Sequence, residues 1–258
     1  MIGVVGVRTP LGALVAVSLG ADAAAEPANF DGLDSLIVVT PTMAILDRAV
    51  EAGVPYVDAS DDPDWATQVF ERHAGAATPV VPACGFDGVL GDLAAAVAAE
   101  HFGGPVDDLA VHHDRDLDSG RHPRLGKPRR VTFPNGVRWV SDADFVERVL
   151  VPRHVPGANV TTTLAVVPGV TSRVLGRRRD TFQVVAEATG LGLRSFVVCH
   201  GSGVETVSAR FLTLAARNLT VPGAMAPAEA FYAESFLDAA AGDDLHWSFE
   251  FPETELRS

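Results

Sequence analysis

The chain is short of cysteine, of positive charge and of long apolar runs, and each shortage excludes a class of protein. Two cysteines, Cys84 and Cys199, cannot staple a small disulfide scaffold. Neither Cys-x-x-Cys nor His-x-x-x-His occurs, so no metal site is expected. Lysine and arginine number 20 against 33 aspartates and glutamates, a net charge of −13. That balance disfavours nucleic acid and anionic membrane surfaces as partners. No apolar run reaches the length of a membrane span; the alanine-rich stretch Leu93 to Glu100 is too short and reads as a buried helix. The first residues, MIGVVGVRTPLG, enter a strand pattern directly, without the basic and apolar regions of a signal peptide. With so little cysteine, the expected compartment is a reducing cytoplasm. No repeat recurs at a fixed period.

What is present is a globular composition: 47% hydrophobic and 21% charged residues, far from the profile of disorder. The length supports one large domain or two that share a core. Short β-rich apolar runs alternate with helical stretches: Met1 to Gly6, then a helix from Pro10; Ser35 to Thr40, then a helix through Ala52; Pro55 to Ala59, then Asp64 to His73; Pro79 to Pro82, then Asp92 to His101. Alternation of this kind predicts a parallel sheet with covering helices.

From about Asp108 the texture changes. LAVHHDRDLDSG reads as an exposed strand, and VTFPNGVRWV, with Pro-Asn-Gly between β-rich flanks, as a hairpin. Two more strands flank a Gly-Leu-Gly turn at 190–192, and Glu205 to Asn218 is the best amphipathic helix in the chain. The expected fold is α/β: a reduced Rossmann-like parallel sheet plus a second α+β domain with an open mixed or antiparallel sheet. Its predicted parts are a truncated Rossmann-like domain at 1–107, a sheet domain at 108–202, and C-terminal helices at 203–258 packing back on the first.

Three stretches carry a resemblance: AVEAGVPYVDAS from Ala49, PVVPACGFDGVLGDLAAAVAAE from Pro79, and ETVSARFLTLAARNLTVPGAMAPAEAF from Glu205. They resemble the saccharopine-dehydrogenase-like oxidoreductases, a group that includes the trans-acting enoyl reductases. The resemblance implies a Tyr-Val-Asp strand end, a Gly-Phe-Asp segment, a closing helix with a Gly-x-x-x-Pro-x-Glu turn, and a homodimer. It also implies NADP(H) held by a Gly-x-x-Gly-x-x-Gly loop.

The departures from that pattern are as informative. The three loop positions here are Gly6, Thr9 and Gly12, so a β-branched residue stands where a bare backbone would approach the pyrophosphate. Pro10 removes a further amide donor. Between Leu19 and Ser35 the connector GADAAAEPANFDGLD reads as too short for the strand, helix and strand of a dinucleotide fold. No arginine or lysine occurs from Ala13 to Asp47, and Asp22, Glu26, Asp31 and Asp34 would repel a ribose phosphate. On this reading the adenosine half of the site is missing, and no cofactor is expected.

The candidate catalytic residues are Asp58, Asp87, His113, His200 and Tyr56. Asp58 and Asp87 follow predicted strand ends, where open α/β sheets place ligands. Tyr56, two residues from Asp58, shares its face. His112 and His113 point to opposite faces of one strand, and histidine suits proton transfer near neutral pH. His200 precedes the Gly201-Ser202-Gly203 loop. Each has an ordinary structural alternative: a turn acid, a packed tyrosine, a core or surface histidine. Gly6, Thr9 and Gly12 are the cofactor-binding candidates if a dinucleotide does bind. The leading reading is a cofactor-independent isomerase, lyase or cyclase acting on a small apolar or polyketide-like metabolite in the old cleft. The alternatives are an NADP(H)-dependent enoyl- or imine-reductase and a non-catalytic partner protein that keeps the fold.

Overall fold

The computed structural model describes residues 1–115, 125–133, 136–165 and 181–250. Residues 116–124, 134–135, 166–180 and 251–258 lie outside that description. The first half runs β1 (Ile2–Val5), α1 (Pro10–Leu19), β2 (Ala23–Ala25), β3 (Ser35–Val38), α2 (Met43–Glu51), β4 (Tyr56–Asp58), α3 (Pro63–His73), β5 (Pro79–Val81) and α4 (Phe86–Phe102). The second half runs β6 (Asp108–Asp114), β7 (Arg129–Phe133), β8 (Gly136–Asp142), α5 (Glu147–Leu150), β9 (Asn159–Ala165), β10 (Thr181–Gly190) and β11 (Leu193–Ser202). It closes with α6 (Val204–Arg217), β12 (Gly223–Ala224), α7 (Pro227–Ala230), α8 (Ala233–Ala240) and β13 (Leu245–Glu250).

The strands make two sheets. One has six strands in the order β12-β5-β4-β3-β1-β2, every pair parallel. The other has seven, β13-β11-β10-β6-β9-β8-β7, antiparallel except for β6 beside β9. Helices α1 and α6 cover one face of the parallel sheet, while α2 and α3 belong to the core on its other face. The predicted α/β architecture with a second sheet domain is what forms. Helix α6 packs on β3 and β4, whereas β13 pairs with β11, so the closing segment serves both layers.

Local chemistry explains the starts. The Thr9 hydroxyl accepts from the Gly12 amide and Pro10 opens α1, the usual use of a proline that has no N–H to lose. Thr42 and Asp62 cap α2 and α3 in the same way.

Three expectations need correction. The connector from Leu19 to Ser35 is not bare. Ala23–Ala25 form β2, which pairs in parallel with β1 on the side away from β3. Three small alanines carry no alternation to read, so pattern alone passes over them. What is missing is the next strand and its helix, replaced by a loop over 26–34.

Helix α4 begins at Phe86 rather than Asp92, because Gly88 and Gly91 are helical. A Cβ on Gly88 would come within 2.4 Å of the Ala83 carbonyl oxygen, and one on Gly91 within 2.1 Å of Glu147 Oε1. These glycines serve close packing, not turns. Asp92 therefore caps nothing; buried in mid-helix, it accepts from the Ala228 amide and pairs with His154 at 2.7 Å.

The strand carrying His112 and His113 is buried, not exposed. Helix α4 lies against β10 and β11 on one side and α6 and α8 on another, with 11 of its 17 residues buried. A helix enclosed on all sides has no polar face, which is why it reads as plain alanine-rich sequence.

Candidate active-site crevice

The strand order of the parallel sheet reverses between β1 and β3: the chain leaves β1 for β2 on one side and returns to β3 on the other. Ligands in open α/β folds sit at the carboxyl ends of the strands at such a point. Here that edge is built by the turn Gly6 to Gly12, by Thr40 after β3, by Asp58 to Asp61 after β4, and by Cys84 to Asp87 after β5.

The first turn keeps two of the three glycine roles of a dinucleotide loop. Gly6 has φ +96°, open to glycine and strained for other residues. A Cβ on Gly12 would fall 2.1 Å from the Gly6 carbonyl oxygen, so the helix can approach the strand only without one. Thr9 takes the middle position as a helix cap, its hydroxyl donating to the Gly6 carbonyl and accepting from the Gly12 amide.

Glu26 enters the sequence reading only as one of four acids that would repel a ribose phosphate. It follows β2 directly, its amide bonding the Val4 carbonyl, and its Oε1 accepts from the amides of Gly6 and Val7 at 3.0 and 3.1 Å. The turn thus presents two backbone donors to an anionic oxygen, as the loop before a helix N-terminus can. The available signal was spacing, since a dinucleotide fold places an acid about 20 residues after its first loop glycine.

Asp58, fully buried, is a hub. Oδ1 accepts from the amides of Ser60 (2.9 Å) and Ala83 (3.1 Å); Oδ2 accepts from Trp65 Nε1 (2.8 Å) and the Tyr56 hydroxyl (3.1 Å). Burial pushes its carboxyl above the usual range, against the pull of those donors. Burial, and Asp58 beside it, push Tyr56 well above its ordinary value. Tyr56 and Asp58 do share a face, in the core formed with α2 and α3.

Asp87 lies in the first turn of α4, half-buried, and pairs with Arg115 at the end of β6. Burial raises its carboxyl, and the charges of Arg115 and His113 draw it back. His113 faces inward: its Nε2 is 2.8 Å from Glu147 Oε1, and its ring lies 4.3 Å from that of Phe145. Neither side chain of the His113–Glu147 pair is exposed. His113 Nδ1 and Glu147 Oε2 have no hydrogen-bond partner among the described residues. Glu147 was invisible in the sequence, where it is one acid in a polar stretch.

The structure therefore gathers Asp87 and His113, with Arg115 and Glu147, beside the Tyr56–Asp58 hub. It does not bring His200 there. His200 is exposed and lies on the sheet face of Phe196 and Val198, whereas Val197 and Cys199 face α4. Its ring neighbour is His246, at 5.5 Å. His112, on the opposite face from His113, bonds Thr163 at 2.7 Å and meets Phe133 edge-on. Burial pushes the Cys199 thiol up to about 12 and Cys84 well above its ordinary value, so both stay protonated. No group of residues suited to a metal ion occurs among the described residues, and no helix among them is long and apolar enough to cross a membrane.

A groove of about 610 Å³ lined by Leu214, Asn218, Val221, Phe231, Tyr232 and Phe236 lies elsewhere. Near it Arg217 reaches Asp22, and the Gly223 amide meets the Thr78 carbonyl. Asp22 and Thr78 precede β2 and β5, so this is the amino edge of the sheet, opposite the crevice.

No family model and no curated protein matches the chain by sequence. Among solved structures, it is similar to apo saccharopine dehydrogenase (L-Glu forming) from Saccharomyces cerevisiae, with a TM-score of 0.59 and 11% identity, over 96% of this chain and 99% of that one. Weaker likenesses are to a dipicolinate-bound dihydrodipicolinate reductase from Paenisporosarcina sp. TG-14 (TM-score 0.42, 12% identity, 88% of this chain and 97% of that one). GenD2 from gentamicin A biosynthesis, solved in complex with NAD, is similar at a TM-score of 0.42 and 14% identity, over 96% of this chain and 95% of that one. The expectation of chemistry without a cofactor is corrected by this comparison, since the solved structure that the chain resembles over nearly its whole length is a dehydrogenase. Its premise fails in part: β2 and Glu26 stand in the connector, although the next strand and its helix are absent from it. The chain has a saccharopine-dehydrogenase-like fold.

Proposed function

We propose that the protein is an oxidoreductase that uses a nicotinamide dinucleotide to transfer a hydride to or from a small metabolite bound in the crevice. The observation that carries this reading is the β1–turn–α1–β2 unit, with two amides already on an anionic oxygen. The opening of α1 would hold the pyrophosphate, with Gly12 allowing the close helix–strand approach, while the amides of Gly6 and Val7 hold Glu26. The cofactor, when bound, supplies or accepts the hydride.

The chain's own residues would manage the proton. Asp87 is the half-buried acid at the mouth of the cluster, held by Arg115. His113, fixed by Glu147 behind it, sets the local charge. Tyr56 and Asp58 brace the floor by tying the ends of β4 and β5 to α3.

Thermal melts with NADH and NADPH at millimolar concentration test the reading. A ligand at 100 times its Kd adds about 2.7 kcal/mol of stability and raises Tm. No shift with either nucleotide, together with no heat in calorimetry, would overturn it.

A further inference from the structure

We propose that Glu26 makes this crevice selective for NAD(H) over its 2′-phosphorylated form; the inference rests on the reading above and narrows the cofactor it takes. Three observations converge. First, Glu26 sits at the carboxyl end of β2, beside the carboxyl end of β1 and 20 residues after Gly6. An acid at that place in a dinucleotide fold accepts from the ribose hydroxyls, whereas a 2′-phosphate requires an arginine nearby.

Second, the position is enforced. Glu26 has φ +44°, a left-handed conformation that a non-glycine residue adopts at some cost. Its amide on the Val4 carbonyl and its carboxylate on the Gly6 and Val7 amides hold it there. The side chain, although exposed, is turned toward the loop.

Third, the stretch around Glu26 carries no cation of its own. Lysine and arginine are absent from 13 to 47. Arg48, the first beyond that gap, donates to the Ala28 carbonyl and lies 4.7 Å over the Phe30 ring. Arg8 is an exposed residue of the turn itself. A dianionic 2′-phosphate would meet the Glu26 carboxylate at close range.

The test is isothermal titration calorimetry of NAD⁺ and NADP⁺ against the intact chain and against Glu26→Gln and Glu26→Ser, with circular dichroism to verify folding. The expected result is NAD⁺ bound roughly 30-fold more tightly than NADP⁺, falling to about 3-fold or less in the variants. Equal binding of both nucleotides by the unaltered chain overturns the inference and leaves the oxidoreductase reading standing. Binding of neither overturns both. A preference that persists in the folded variants removes Glu26 as its source. The unaltered chain alone decides whether the preference exists, even if a variant does not fold.

Discussion

Asp58 and Glu147 are both carboxylates with no exposed surface, yet they are kept in opposite ways. Asp58 ends a strand and receives four donors from three neighbouring segments, so both oxygens are satisfied. Glu147, in a four-residue helix, has one partner, His113, and an oxygen with none among the described residues. A buried polar group that is fully bonded contributes to the architecture; one left half-bonded costs stability and invites a functional reason. The comparison suggests that the strand-end aspartate, prominent in the sequence, frames the crevice, while the inconspicuous glutamate belongs with its chemistry.

The sharpest way to break that comparison is Asp58→Ala. It would leave the Trp65, Tyr56, Ser60 and Ala83 donors without an acceptor, and we expect a loss of about 3–5 kcal/mol in denaturant unfolding. A loss below about 1 kcal/mol would end the claim that Asp58 is a hub. Gly91→Ala probes the other acid, because its methyl would meet Glu147 Oε1 at 2.1 Å. The expected cost is about 1–3 kcal/mol, shrinking markedly when combined with Glu147→Ala in a double-mutant cycle. Glu147→Gln keeps the shape and an acceptor for His113 while removing a buried charge. It should change stability by about 1 kcal/mol or less, so a loss as large as that of Asp58→Ala would make the two acids alike.

A third buried acid, Asp92, gives the smallest effect and a direction in pH. His154 titrates above its ordinary value: burial works against the charged ring, but Asp92 beside it more than offsets this. Its contribution to stability is therefore complete below the unfolded value of about 6.5 and fades as pH rises through the higher folded value. His112 has the opposite sign, since burial lowers it and its contribution is lost as pH falls. The difference in unfolding free energy between the protein and His154→Gln, followed from pH 5.5 to 8.5, isolates the first effect and should decline with pH. A flat difference would separate Asp92 from His154.

Much of the fold was legible because its signals are local. Proline at the first helical turn, glycine after a helix, and β-branched runs of four residues marked α1, α2, β1 and β3. The Pro-Asn-Gly stretch correctly marked the hairpin, whose ends pair at Phe133 and Gly136. The errors came where a residue's usual meaning was displaced by tertiary packing. The helix was expected from Asp92, but it already includes Gly88 and Gly91, the places where a carbonyl and Glu147 approach it.

The site was legible in part. Strand ends pointed to Asp58 and Asp87, and period-two alternation separated His113 from His112. It could not choose between the two faces, so His200, on the far face of the sheet, stood as an equal candidate. Glu26 and Glu147 depend on contacts across 20 and 34 residues, which no local pattern reports.

The parallel sheet ends in stubs, three residues of β2 on one margin and two of β12 on the other. Exposed margins with rows of unused amides and carbonyls are where sheets of different molecules join. These margins are too brief to template such growth. The parallel sheet therefore offers a neighbouring molecule little edge to pair with.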